Sequence, residues 1–265
     1  MLDKNYNKIA SKLSGWIKDK VEKSGADGVV SSLDGQINSA VTSLLCQKAC
    51  PANNLTIIIS IDNASEKRID AITHAEKHHL NYKDLNLKNT YLSLISSLNK
   101  DDELKFEQIA QSKLDKNSTE KEKNFTDRKT SALKNIIARL RMTSLYYYAN
   151  LNNYLVVGNN DQSEIKLGYF TKYGDGAFDI DPLATLVKLE VKGMARSMEI
   201  DSKIIAKTPT NAIWPQTISE QDFLSYRDTD YYFANGEAKA EVKNKIQKIQ
   251  IKNKHKSSPP LTPNF

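Results

Sequence analysis

Ile9, Leu13, Trp16, Ile17 and Val21 recur at helical spacing, which predicts an amphipathic first helix ended by Gly25. Val29 to Leu33 then reads as a strand, and Ser39 to Cys50 as a helix that Pro51 stops. Leu55 to Ile61 is a continuous apolar run, the pattern of a strand buried on both faces. A helix over about 65–79 and a short strand over about 82–87 are expected next. Further along, the pattern predicts a long helix over about 127–151, a strand over 154–158 with a polar loop after it, and helices over about 183–198 and 235–251. Strands alternating with helices predict an α/β fold: a three-layer sandwich with a central parallel sheet and helices on both faces.

No repeat or linker breaks this pattern, so one domain over residues 1–265 is expected. It carries a highly charged excursion at about 100–124 and a proline-rich tail at about 253–265, and Trp214 to Ser225 reads as irregular. Apolar residues make up 39% of the 265, enough for a core. The mean hydropathy of −0.55 implies a polar surface. A formal net charge of +6 suits an anionic partner, but is too diffuse to separate nucleotide from nucleic acid. No apolar run approaches the ~18 residues of a membrane span, and the start M-L-D-K-N-Y-N-K has no signal-peptide core, so a soluble cytoplasmic protein is expected. Cys46 and Cys50 read as small buried thiols. His74 and His78 have the i, i+4 spacing of zinc ligands without an obvious third partner, so they read as a solvent-facing pair. Tyr146, Tyr147 and Tyr148 read as core or interface packing rather than a base-stacking platform.

The candidate chemistry begins at residues 29–41, V-V-S-S-L-D-G-Q-I-N-S-A-V. A strand runs into a tight glycine turn and then a helix, a layout that points backbone N–H groups at a phosphate. The stretch resembles the S-G-G-x-D-S loop of ATP pyrophosphatases. The second half is more specific. It reads R-L-R-M-T-S-L-Y-Y-Y-A at 139–149, Y-L-V-V-G at 154–158 with Ser163-Glu164 after it, and G-Y-F-T-K-Y-G-D-G-A-F-D-I-D-P at 168–182. V-K-L-E-V at 187–191, K-T-P-T-N-A-I-W at 207–214 and His255-Lys256 complete the set. Together these resemble the ammonia-dependent NAD synthetases over nearly the whole chain.

The resemblance implies an amide-forming ligase of the last step of NAD biosynthesis. ATP adenylates the nicotinate carboxylate of deamido-NAD or a related nicotinate nucleotide, a mononucleotide included, pyrophosphate leaves, and ammonia attacks the acyl-adenylate. It also implies a symmetric dimer, Mg²⁺, ATP as co-substrate, and neither nucleic acid nor membrane as partner. No glutaminase segment is visible, so ammonia comes free or from another protein. By position, Ser32, Leu33, Asp34, Gly35, Gln36, Ile37, Asn38, Ser39, Asn159, Lys188 and Thr210 would face ATP. Arg139, Lys172, Asp179, His255 and Lys256 would hold deamido-NAD, and Glu164 with Asn38 would hold the metal. Carboxylate and amide oxygens suit a hard cation, and arginine suits planar anions.

The chain departs from the pattern at several of these positions. Asp34 stands for serine, Gln36 for glycine, Asn38 for the metal-binding aspartate and Ser32 for a glycine. Asn159, Asn160 and Asp161 stand where the family has T-G-N, and Pro215-Gln216-Thr217-Ile218-Ser219 where it has G-Q-T-D-E. Dinucleotide positions are kept while the phosphate and metal side is mostly altered, with Gly35, Ser39, Glu164, Lys188 and Thr210 remaining. The alternative expectation is therefore a catalytically impaired relative that binds the dinucleotide as a sensor or partner subunit. A tRNA-thiolating pyrophosphatase is disfavoured, since no CxxC pair is present.

Overall fold

The computed structural model describes residues 4–61, 65–98, 120–207, 224–260 and 262–263, with the backbone alone for 120–126 and 226. Helix α1 spans Tyr6–Ser24, strand β1 Gly28–Ser32, helix α2 Ile37–Ala49 and strand β2 Asn54–Ser60. Helix α3 spans Glu66–Lys77, strand β3 Tyr82–Asn86, helix α4 Lys88–Leu98 and helix α5 Glu120–Asn152. Strand β4 is Tyr154–Val157, helix α6 Gln162–Leu167, helix α7 Lys188–Ser197 and helix α8 Ser202–Ala206. Helices α9, Tyr226–Asn235, and α10, Ala240–Asn253, close the chain with a 3₁₀ turn at Lys254–Lys256.

The four strands form one parallel sheet in the order β3-β2-β1-β4, as the alternation of elements predicts. Val30 pairs with Leu55 on one side and Val156 on the other, so β1 is central. Side chains alternate between the faces of a strand. Val29, Ile58 and Val157 thus join the core with α1, α2 and α7, while Val30, Ile57, Ile59 and Val156 meet α5 through Met142, Leu145 and Ala149. Helices cover both faces. A third cluster, Leu167, Tyr169, Leu224 and Ile246, ties α6 to α9 and α10.

Gly25 ends α1 at φ 72, as expected. Trp16 leaves the predicted stripe: it is 37% exposed, with the Lys20 ammonium 5.7 Å from its ring centre. The stretch after β4, expected as a polar loop, holds α6, started by a reciprocal pair between Asp161 and Glu164. Helices α4, α8 and α9 stand where the sequence pattern was read as no regular element. The last helix starts at Ala240, because Gly236 at φ 76 closes α9 just before it. Helix α7 starts at Lys188 rather than 183, since turns occupy 182–185. The long helix begins at Glu120, so the end of the charged excursion is helical and the rest of it lies outside the described residues. The irregular stretch at 214–223 also lies outside them. In the tail, the 3₁₀ turn at Lys254–Lys256 continues from α10 before the prolines. His74 is buried at 2% exposure, not solvent-facing, and its Nε2 lies 3.2 Å from Ser43 Oγ. Among the described residues, no helix is long and apolar enough to cross a membrane.

Candidate functional site

A cavity of about 770 Å³ opens at the C-terminal ends of the strands. That is where ligands bind in open parallel sheets. Its lining includes Ser32, Leu33, Asp34, Gln36, Ile37, Asn38 and Ser39 from the β1–α2 turn, Gly158, Asn159, Asn160 and Glu164 after β4, and Lys188 from α7. Nearly all the positions expected to face ATP thus converge on it. Gly35 forms the turn without lining the cavity. Thr210 and the 215–219 loop lie outside the described residues.

The β1–α2 turn is closed on itself. Asp34 Oδ1 accepts from Ser39 Oγ at 2.5 Å and from the Gln36 backbone N–H at 3.1 Å, and Asp34 Oδ2 accepts from Gln36 Nε2 at 2.9 Å. A carboxylate of the chain thus engages the hydroxyl and amide that the layout offers to a phosphate. Gly35 sits at φ +75, and a Cβ there would lie 2.2 Å from the Lys67 carbonyl oxygen, so this turn demands glycine.

Beside it, and including Asn38 from the start of α2, lies a buried ring of polar groups. Lys188, 3% exposed, places Nζ 2.7 Å from Asp161 Oδ2 and 3.2 Å from Glu164 Oε1, and donates to Asn38 Oδ1 at 3.0 Å. Asn38 Nδ2 donates to Glu164 Oε2 and to the Asn159 carbonyl, both at 2.9 Å. Lys188 fixes the amide's orientation, because a flip would set NH₂ against ammonium and oxygen against two oxygens. Burial and the neighbouring Asp161 push the Glu164 carboxyl up to about 7, against the pull of Lys188. Burial likewise pushes Asp181 up to about 8; its oxygens accept from the backbone N–H groups of Asn160 and Leu183, each at 3.2 Å.

The five positions expected to hold the dinucleotide are absent from the described lining of this cavity. Four of them meet near the 3₁₀ turn. Arg139 Nε donates to the Lys172 carbonyl at 3.3 Å, Lys172 Nζ donates to the His255 carbonyl at 2.6 Å, and Lys256 Nζ donates to the Gly168 carbonyl at 2.8 Å. Asp179 stands apart, accepting from the Val156 N–H at 2.7 Å and from Tyr146 Oη at 3.0 Å, a clamp on β4. Tyr146 is half-buried against the core on the α5 side of the sheet, while Tyr147 is 62% exposed.

The residues that sequence reasoning left without a role are Asp161, Asp175, Asp181, Arg141 and Lys207. Arg141, Asp175 and Lys207 line the cavity, with Lys207 also paired to Asp70. Asp175 Oδ1 accepts from the Thr171 N–H at 2.8 Å and braces the 171–175 turn. A sequence signal existed for Asp161, since Asp161 and Glu164 have the spacing of a capping box.

A strand-end cavity, a phosphate-type turn and a buried lysine among acids delimit the comparison with known proteins. The NAD synthase family model matches residues 9–260. The chain belongs to the NAD synthase family. A protein of Carboxydothermus hydrogenoformans named NH(3)-dependent NAD(+) synthetase is 35% identical over 260 residues, 98% of each chain. One of the same name from Mycoplasma pneumoniae is 29% identical, over 98% of this chain and 96% of its own. The NMN synthetase from Francisella tularensis superposes with a TM-score of 0.80 at 27% identity, over 99% of this chain and 100% of that one. An NH3-dependent NAD synthetase from Campylobacter jejuni gives 0.71 at 25%, over 98% and 100%. This member is a ligase of the ammonia-dependent NAD synthetase type, which places it in NAD biosynthesis by amidation with ATP as co-substrate.

Proposed function

We propose that the protein amidates the carboxylate of a nicotinate nucleotide, deamido-NAD in the first instance, through an acyl-adenylate made from ATP. A carboxylate is a poor electrophile; attaching AMP supplies a good leaving group, and ammonia then takes its place. The observation that carries this reading is the buried Lys188 ammonium set against the β1–α2 turn at the mouth of the sheet. A fixed cation beside a helix N-terminus stabilises negative charge that develops on departing phosphate. Ser39 and the Gln36 amide would hold that phosphate once Asp34 yields them. Asp161, Glu164 and Asn38 turn oxygen atoms toward Lys188, the ligand chemistry of a Mg²⁺ site, and Glu164 with Asn38 would hold the ion. Bound there, Mg²⁺ would neutralise charge on the leaving pyrophosphate. Arg139, Lys172, His255 and Lys256 would receive the part of a dinucleotide beyond the cavity. The likeness to an NMN synthetase makes nicotinate mononucleotide the second substrate to assay. The reading includes a cytoplasmic homodimer and one domain over the whole chain.

Pyrophosphate release with ATP, ammonium and either nucleotide tests the reading: release needs ATP and the nucleotide, and sustained turnover is expected only when ammonium is also present to discharge the acyl-adenylate. A second reading, a dinucleotide-binding protein with a blocked phosphate seat, is favoured by the three bonds on Asp34. Nucleotide binding with no release would establish that reading and end the first.

A further inference from the structure

Asp161 is fully buried, and its two oxygens do different work. Oδ1 accepts from the Glu164 N–H at 3.0 Å and starts α6. Oδ2 lies 2.7 Å from Lys188 Nζ, closer than Asn38 Oδ1 at 3.0 Å or Glu164 Oε1 at 3.2 Å, and 3.4 Å from Asn38 Nδ2. Asn38 is neutral. The ring therefore holds one lysine and two carboxyls, Asp161 and Glu164. A third acid at position 38 would crowd the same ammonium. In the pattern this chain resembles, the acid stands at the position of Asn38 and the amide at that of Asp161; here the two types are exchanged, and the side chains touch.

We propose that Asp161 is the positioning residue for Lys188, supplying from the β4–α6 turn the carboxylate that position 38 lacks, so that the ammonium stays aimed at the phosphate seat. The inference rests on the reading of Lys188 as a phosphate contact. A pure helix-capping role makes a different forecast. Asparagine caps a helix about as well as aspartate, so a capping Asp161 would tolerate D161N. A positioning Asp161 would not, because the amide turns an N–H toward the ammonium.

The test is titration of inorganic pyrophosphate onto the wild type, D161N and the N38D/D161N exchange by calorimetry. The expected result is at least a tenfold loss of affinity in D161N and at least a threefold recovery in the exchange. Recovery stays partial because an acid at position 38 would face Glu164 Oε2 and the Asn159 carbonyl. Wild-type affinity in D161N, no recovery in the exchange, or no binding by the wild type would each overturn the proposal. Should D161N not fold, K188M/D161N decides: it should fold better than K188M, since it removes a buried acid left without its partner, and an equal or worse yield counts against the proposal. Pyrophosphate binding is read without turnover. An inactive wild type that still binds it would therefore end the ligase reading and leave this inference standing.

Discussion

Two strand-to-helix turns lie side by side at the ends of the paired strands β1 and β4, and each carries an aspartate. In the β1–α2 turn, Asp34 has no cation among its hydrogen-bond partners within the described residues and folds back onto Ser39 and Gln36. In the β4–α6 turn, Asp161 shares its oxygens between a helix cap and Lys188. The same residue type plugs one turn and props the other. The difference lies in what the carboxylate meets. Where a lysine is delivered by a third element, the acid orients a charge; where none is, it consumes the turn's own donors.

The largest effect should come from removing the prop's cation. Lys188→Met leaves Asp161 and Glu164 buried beside each other, and breaking a buried ion pair from one side costs about 3–5 kcal/mol. Urea unfolding at pH 8 measures it. A loss under about 1 kcal/mol would mean the ring is open to water.

The plug's turn is tested next by Gly35→Ala. The backbone is held at φ +75 and the new methyl would sit 2.2 Å from the Lys67 carbonyl oxygen, so the turn or α3 must shift. A cost of about 2–4 kcal/mol is expected, strain and displacement together. The same substitution at Gly236, φ +76 with open space around it, should cost about 1 kcal/mol and serves as the control.

A third test asks how far a titratable group off the cavity controls stability. Burial drives His74 down to about 4, so it stays neutral in the fold while the unfolded chain takes a proton near 6.5. Between those values the unfolded state binds more protons. Stability is therefore complete above pH 6.5 and falls as pH drops toward 4, by about 2–3 kcal/mol from this residue. His74→Gln should flatten that part of the urea-midpoint profile. An unchanged slope would assign it to other groups.

The two turns also differ in how far the sequence announced them. The β1–α2 turn is contiguous, and its strand, glycine and helix were readable from residues 29–50, as was the buried strand β2 from its unbroken apolar run. The ring around Lys188 was not readable as a ring, because Asn38, Glu164 and Lys188 meet only through the parallel crossover connections of the sheet. Helices α6 and α9 carried signals that were passed over: Asp161 with Glu164, and Ser225 with Asp228, each start a helix from the N-cap. Helix α4 carried one as well: Tyr91, Leu94, Ile95 and Leu98 recur at i, i+3, i+4 and i+7, and its buried residues Tyr91 and Ile95 belong to that stripe.

The smallest expected effect bears most directly on the plug. Asp34→Ser with Gln36→Gly removes the carboxylate that holds Ser39 Oγ and the residue-36 amide, and gives back a hydroxyl donor and a free backbone. Two unit charges 4 Å apart interact by about 4 kcal/mol at an effective dielectric near 20, and solvent at the open cavity mouth reduces that. About a tenfold gain in pyrophosphate affinity, about 1.4 kcal/mol, is the expected outcome. The gain should appear in the KM for ATP and shrink when Lys188 is also replaced, because the freed seat and the ammonium act on the same anion. An unchanged affinity would mean that Asp34 already swings aside for the ligand. Any limit on turnover would then be sought at the ring around Lys188 rather than at Asp34.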